Sequence, residues 1–456
     1  MPTIHDASAS QVGQIRQSLL HWYDQNQRCL PWRDIVMKEK DVNVKAYAVW
    51  VSEIMLQQTQ VATVVEYFNR WLQRWPTVQH LAKADVEEIN KLWSGLGYYS
   101  RAKRLHEGAQ KVCTELGGRV PDSAEALLRL PGVGRYTAGA IASIAFGRPA
   151  PVVDGNVVRV LARLDAIGAP SDSKPVLERL WSTAGRLVPP DRPGDFNQAL
   201  MELGATVCTP RAPSCAACPV RQMCAAHRLA QASPRQDPPR RRRGRAGSTV
   251  DDIEECAAGC PLCLPPGLWE GGAGVLNFPR KTRKVAPRVE HTAVCVVHHE
   301  RRRFLLARRP DTGLLASLWE FPGVVLPSLE LSDDEVDAAL RTLLPGQLAL
   351  PPPAPLPSLG DIVHVFSHIR RTYRARAAAA AATAQDEQQP PVPAGYSAAR
   401  WVTREELLQA GIPTPVRKIL KLFDAEAASR PARRRPAPVT SQPDGKRQLT
   451  LRAFLD

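Results

Sequence analysis

Through the first half of the chain, apolar side chains recur at the spacing of one helical face. Ile15, Leu19, Trp22 and Tyr23 form the first such stripe, and the same period predicts helices over Ala46–Leu56, Gln60–Trp75, Val86–Trp93, Ala102–Leu116, Ala124–Leu130, Thr137–Phe146, Val157–Leu164, Pro175–Leu187 and Asp195–Leu203. Short turns rich in Pro, Gly or Ser separate them. Residues 1–230 therefore read as an all-α module. The period then vanishes: Pro, Arg, Gly and Ser dominate residues 231–289, as in a linker. Short strand-like runs follow, at Thr292–His298, Phe304–Ala307 and Ile362–Phe366, interleaved with helical segments at Asp333–Leu343 and Arg404–Gln409. Residues 290–425 thus read as a smaller α+β domain. The alanine run Ala377–Ala384, with Gln385–Pro393 after it, reads as an excursion looping out of that domain. Residues 426–456 form a basic, proline-rich tail that lacks the apolar residues for a core. No internal repeat is present.

The length of 456 residues and 44% hydrophobic content fit two or three domains with full cores. No run of ~18 apolar residues occurs, so no transmembrane helix is expected, and Met1–Gln17 lacks the basic flank and apolar core of a secretory signal. Net charge is +15. Arg235–Arg245 and Arg430–Arg447 carry +5 each, leaving +5 for the remainder. That balance fits a polyanionic partner, although such basic tails also serve nuclear import. Seven of the ten cysteines are clustered, and Cys29, Cys113 and Cys295 stand alone. Cys208, Cys215, Cys218 and Cys224 are spaced C-x6-C-x2-C-x5-C, and Cys256, Cys260 and Cys263 are spaced C-x3-C-x2-C. Such spacing points to metal in a reducing compartment rather than to disulfides.

Leu130-Pro131-Gly132-Val133-Gly134 is a tight turn running into an apolar helix, where glycines let backbone N–H groups approach a phosphate. Taken alone, it is also an ordinary helix–helix turn. Val152-Val153-Asp154-Gly155-Asn156 then places one carboxylate just ahead of the next helix, in position to cap it. The pairing resembles the helix–hairpin–helix DNA glycosylases. Gly132, Val133 and Gly134 would be the phosphate-binding hairpin. Four thiolates can close a zinc site or hold an iron–sulfur cluster, and spacing does not separate the two. After a helix–hairpin–helix domain, the quartet resembles the [4Fe–4S] loop of endonuclease III-like glycosylases.

Leu30-Pro31-Trp32-Arg33, Trp50 through Thr59 (WVSEIMLQQT), Gly95-Leu96-Gly97-Tyr98-Tyr99, Val153-Asp154-Gly155-Asn156 and Met201-Glu202-Leu203-Gly204 resemble the adenine DNA glycosylase (MutY) family, over nearly the whole chain. The fold expected from the resemblance is mostly α: a helix–hairpin–helix DNA glycosylase with an iron–sulfur cluster loop, plus a C-terminal α+β Nudix-like domain. The implied activity is removal of adenine mispaired with 8-oxoguanine in double-stranded DNA. Bifunctional relatives carry a Schiff-base lysine just after the hairpin. This sequence has Tyr136 there and no lysine between Lys111 and Lys174, which points to a monofunctional enzyme. Adenine is a poor leaving group and must be protonated as its bond breaks. Glu53, on an apolar helix, is the candidate general acid with a pKa raised by burial. Asp154 is the ionised partner that stabilises the positive sugar, a division of labour like that of glycosidases. Asn156 would orient Asp154, and Tyr136 would bridge to Glu53 or to water. For Glu53 the plain alternative is an exposed helix glutamate. By resemblance, Arg28, Leu30, Trp32 and Glu202 line the adenine pocket. Because the base must leave the duplex, Gln58 is the candidate wedge on the adenine side, while Tyr98 intercalates and Thr59 makes contact on the side of the oxidised guanine.

The three linker cysteines leave a tetrahedral zinc one ligand short. Mammalian family members complete a similar set with a histidine near the chain start, which here would be His5; His291 is the alternative. Asp251–Glu255 resembles a surface for a checkpoint sliding clamp. Arg308 through Pro322 resembles the start of a Nudix fold, but Asp333–Leu343 lacks the R-E-x-x-E-E pattern that holds Mg²⁺, so the fold is expected without the pyrophosphatase. Phe366-Ser367-His368 resembles the loop that reads 8-oxoguanine, with the Ser367 hydroxyl accepting from its N7–H. Gln448–Leu455 resembles a PCNA-binding peptide. A monomer without membrane attachment is expected, in the nucleus, with the mitochondrion left open as a further setting. The alternatives are a bifunctional thymine-glycol glycosylase/lyase, which Tyr136 opposes, and a non-catalytic damage scaffold, which Glu53 and Asp154 oppose.

Overall fold

The computed structural model describes residues 5–232, 256, 260–264, 267–270, 272–280, 286–344, 355–366, 368–380 and 390–429. The helices of the first domain are α1 (Ala9–Asn26), α2 (Pro31–Lys38), α3 (Val42–Leu56), α4 (Val61–Arg74), α5 (Val78–Ala82), α6 (Val86–Trp93), α7 (Ser100–Glu115), α8 (Ala124–Leu127), α9 (Arg135–Ile144), α10 (Gly155–Leu164), α11 (Lys174–Leu187), α12 (Pro193–Thr206) and α13 (Ala225–Ala232). They sort into two lobes. In one, α3 is buried along its length from Ala46 to Met55, as expected of a helix that is apolar all round. Trp71 and Trp93 from α4 and α6 pack against each other edge-on, 5.4 Å between centroids, in the same core. In the other lobe, Ile15, Leu19 and Tyr23 of α1 pack with Val157 and Leu161 of α10, Leu180 of α11 and Phe196 of α12. The first helix in sequence thus joins the last ones in space, and the lobes meet along a cleft.

The second domain is a seven-stranded sheet. Its elements are β1 (Arg288–His299), β2 (Arg303–Arg308), β3 (Trp319–Glu320), β4 (Gly323–Leu326), α14 (Asp333–Leu343), β5 (Ser358–Val365), β6 (Ile369–Ala379), β7 (Ala398–Thr403), α15 (Arg404–Gln409) and α16 (Thr414–Ser429). The order is β3-β2-β1-β6-β5, with β4 on β1 and β7 on β2. Side chains of β1 alternate in strand fashion. Ala293, Cys295 and Val297 face α14 through Val336 and Leu340, while Val294 and Val296 face Leu407, Ile419 and Phe423 of α15 and α16. The alanine run departs from its sequence reading. Ala377, Ala378 and Ala379 pair in parallel with Val296, Val297 and His298, so β6 continues where an excursion is expected, and residues 381–389 lie outside the described set. No helix among the described residues is long and apolar enough to cross a membrane.

The two domains touch. Leu318 of the second is wholly buried in the tryptophan-lined core of the first. Ser94 donates to the Ile412 carbonyl at 3.1 Å, and Arg400 pairs with Glu87 at 2.5 Å.

Candidate active site

Glu53 points from α3 into the cleft and is 5% exposed. The Tyr136 hydroxyl donates to its carboxylate. Burial pushes the Glu53 carboxyl up to about 7; the neighbouring Asp154 charge adds to the rise, and Tyr136 and Arg33 oppose it. Burial also lifts Tyr136 well above the ordinary phenol range, which keeps it a neutral donor. Asp154 is the N-cap of α10. Its Oδ1 accepts from the Val157 N–H at 2.7 Å and its Oδ2 from the Asn156 amide at 2.9 Å. Burial raises its pKa too, but those bonds and the Arg159 charge favour the carboxylate. One carboxyl thus faces apolar packing and a phenol, and the other faces donors and a cation. That difference is what a proton donor and a charged stabiliser require.

Both acids line one cavity of about 550 Å³, within the roughly 300–1,000 Å³ usual for small-molecule sites. Arg28, Leu30, Trp32, Gln58, Thr59, Tyr136, Asn156 and Glu202 line it as well. Trp32 also packs edge-on against Phe68 at 5.5 Å, so it serves core and pocket together. Glu202 is 1% exposed and accepts from Arg28 at 2.5 Å and Arg33 at 2.8 Å. Burial acts to raise its pKa, but the two guanidinium groups outweigh it and hold Glu202 below its ordinary value.

Tyr98 lies elsewhere, in a cavity of about 990 Å³ between the domains, together with Phe366 and His368. Phe366 meets His364 edge-on at 4.6 Å, and its N–H donates to the Ile369 carbonyl at 2.7 Å. Ser367 lies outside the described residues, as do Asp251–Glu255 and Gln448–Leu455. The hairpin Gly132-Val133-Gly134 leads into α9, with Gly134 as its N-cap. Gly132 sits at φ +75°, and a Cβ there would lie 2.7 Å from the Arg104 Cβ, so glycine is required on both counts.

His5, Cys256, Cys260 and Cys263 bring their donor atoms within 4.8 Å of one another, the one such group among the described residues, and this set can hold a metal ion. His5 Nδ1 donates to the Asp165 carbonyl at 2.7 Å. That leaves Nε2 facing Cys263 at 3.3 Å and Cys260 at 3.6 Å, the tautomer of a metal-bound imidazole. His291, the alternative ligand, lies instead in β1 opposite Leu326. Cys208, Cys215, Cys218 and Cys224 converge on a small cavity of about 30 Å³, a four-thiol donor set of the kind that can hold a metal centre. On α14 the acids are already engaged: Asp333 with Arg374 and Arg376, Asp337 with Arg376, and Glu335 with Ser332.

Sequence reading missed three cations. Arg33 clamps Glu202 and also bonds Gln198 at 3.0 Å. Arg159 reaches the Asn156 side chain at 2.8 Å, the Gly204 carbonyl at 2.7 Å and the Cys208 carbonyl at 2.8 Å, tying the Asp154 turn to the cysteine loop. Its signal was its place three residues after Asn156, on one helical face. The third is Arg101, buried on α7.

The family described as HhH-GPD superfamily base excision DNA repair protein matches residues 51–185, and the NUDIX domain family matches 293–422. The chain is 51% identical over 423 residues to the adenine DNA glycosylase of Rattus norvegicus, spanning 91% of this chain and 78% of that protein. It is 49% identical over 425 residues to that of Homo sapiens, spanning 91% and 75%. To that of Schizosaccharomyces pombe it is 35% identical over 393 residues, spanning 81% and 82%.

Proposed function

The chain belongs to the adenine DNA glycosylases of base-excision repair, and from that premise we propose that it takes adenine from opposite 8-oxoguanine in double-stranded DNA as a monofunctional hydrolase. The observation that carries the reading is the shared cavity in which Glu53, buried and raised to about 7, faces Asp154, held by two hydrogen bonds. Glu53 in its acid form protonates a ring nitrogen of the extruded purine as the N-glycosidic bond breaks. Asp154 stays ionised and shields the positive sugar. The Glu53 carboxylate then takes a proton from the attacking water, which returns the site to its starting state. Tyr136 holds the Glu53 carboxyl in place, and the absence of a lysine at that position leaves no amine to form a Schiff base. Arg28 and Glu202 bind the adenine edge, beside Leu30 and Trp32. Gln58 fills the vacated stack, and Tyr98, Thr59, Phe366, Ser367 and His368 read the opposite base.

Cys208, Cys215, Cys218 and Cys224 would hold a [4Fe–4S] cluster that braces the loop and positions it on DNA. His5, Cys256, Cys260 and Cys263 would hold Zn²⁺ as a structural pin. Metal analysis of purified protein should find zinc besides iron. Gln448–Leu455 would bind PCNA, Asp251–Glu255 a checkpoint clamp, and the setting would be the nucleus. The test of the central reading is single-turnover adenine release from 8-oxoguanine- and guanine-paired duplexes, with Glu53→Gln and Asp154→Asn as controls. Equal rates on the two duplexes would remove the preference, and full activity in either control would remove the mechanism.

A further inference from the structure

Besides Ala166 at φ +49°, which follows α10, two turns of the first domain carry a described non-glycine residue in the left-handed region: Gln58 at φ +56° and Tyr98 at φ +47°. Such backbone is costly for a side-chain-bearing residue and persists only where its surroundings impose it. The two turns are far apart in sequence, yet one side chain serves both. Arg101, on α7 and 9% exposed, donates to the Gln57 carbonyl at 2.5 Å and to the Gly97 carbonyl at 3.2 Å. These are the peptide groups immediately preceding Gln58 and Tyr98. The same guanidinium also bonds the Ile54 and Met55 carbonyls at 2.8 and 3.0 Å, at the C-terminal end of the Glu53 helix, and reaches Leu96 and the Thr59 hydroxyl. It lies 5.4 Å from the centre of the Tyr98 ring.

Among the described residues no carboxylate pairs with Arg101, and its buried Nε has no partner. A guanidinium buried for stability alone would ordinarily be matched to an acid. Here the cation is spent on the last carbonyls of α3, on carbonyls of the two turns and on the Thr59 hydroxyl, with the negative end of the α3 dipole beneath it. Its planar fork suits this use, because several donors leave one rigid group in fixed directions.

We propose that Arg101 is a positioning residue that locks the Gln57–Thr59 and Leu96–Tyr98 turns to each other, so that extrusion of adenine and insertion beside the opposite base occur as one coupled event. The proposal rests on the reading of Gln58 and Tyr98 as residues that enter the duplex. Arg101 is 9% exposed, and its bonded donors go to the protein's own oxygens. It sets the geometry of both probes relative to the end of the helix that carries Glu53.

The test uses full-length Arg101→Met and Arg101→Lys, with 2-aminopurine beside the target adenine to report its departure from the stack. At saturating protein the Met variant is expected to lose about 100-fold in single-turnover rate, the scale of a misplaced site. The Lys variant, which cannot serve both turns at once, should lose about tenfold. The fluorescence rise should fall in parallel, while the pH dependence of the residual rate stays that of the parent, because the acid is untouched. Gln58→Ala and Tyr98→Ala should each reduce the fluorescence rise, and adding either to Arg101→Met should cost little more than Arg101→Met alone. If the two alanine variants leave the signal intact, the turns do not enter the duplex and the lock falls with that reading. If they reduce it while Arg101→Met keeps rate and signal within twofold, or adds its full loss to each of theirs, the turns act independently and the lock alone is wrong. Should the Met variant fail to fold, the Lys variant carries the same comparisons.

Discussion

At the residue scale the site depends on a carboxyl held protonated near neutrality. Glu53 is raised to about 7 chiefly by burial. As a general acid it must carry its proton, so the single-turnover rate should fall as pH rises through about 7, and fall again at acid pH as Asp154, itself raised by burial, takes up a proton. Tyr136 donates to the carboxylate and thereby favours the charged form. Tyr136→Phe should therefore move the falling limb to higher pH, and a rate profile on the parent and this variant checks the sign. A second expectation concerns stability. The folded pKa lies above the ordinary 4.5, so the contribution of Glu53 is fully present below that value and is lost as pH rises through about 7. At pH 8 the ionised side chain costs about 1.4 kcal/mol for each unit of displacement. Glu53→Gln should melt several degrees above the parent at pH 8 and lose that advantage at pH 5. A melting point that does not change with the substitution at pH 8 would mean that the carboxyl is solvated in the folded protein.

At the scale of elements, the acid pair depends on how α10 lies against α12. A Cβ on Gly204 would stand 2.6 Å from the Asn156 Cβ, and Asn156 in turn holds Asp154. In an open helix, Gly→Ala stabilises by roughly 0.5–1 kcal/mol. Here Gly204→Ala must push Asn156 aside. We expect a rate loss of about 10- to 100-fold with duplex affinity largely kept, measured by single turnover and by titration. Much at this level was legible in sequence: the uniformly apolar α3, the Asp154 cap and the alternation along β1 each follow from local pattern. What was not legible depends on distant partners. The short α2 has only Trp32 and Arg33 buried, too few positions to show a period. The alanines ending β6 have weak strand preference of their own and become strand because β1 lies alongside and covers them. Arg101 and Arg159 look in sequence like solvated helix charges, and only the folded chain reveals the carbonyls they serve.

For the molecule as a whole, the question is what joins the two domains across the cavity that Tyr98 shares with Phe366 and His368. No local pattern reports this, because Leu318 sits in a loop of the second domain yet completes the core of the first. The magnitudes decide between the two kinds of contact. Arg400 and Glu87 are 35% and 49% exposed at the side chain, so their pair is worth about 0.2–1 kcal/mol. Removing most of a buried leucine costs about 2–5 kcal/mol. If the apolar contact holds the domains together, Leu318→Ala should loosen docking while each domain keeps its own core. Adenine release opposite guanine should then stay within about threefold of the parent, and the preference for 8-oxoguanine should narrow by tenfold or more, since about 1.4 kcal/mol corresponds to a factor of ten. Arg400→Ala should change the preference by less than about fivefold. The reverse order of effects, with the ion pair decisive and the leucine neutral, would place the hinge of recognition at the polar rim around α6 and not in the shared core.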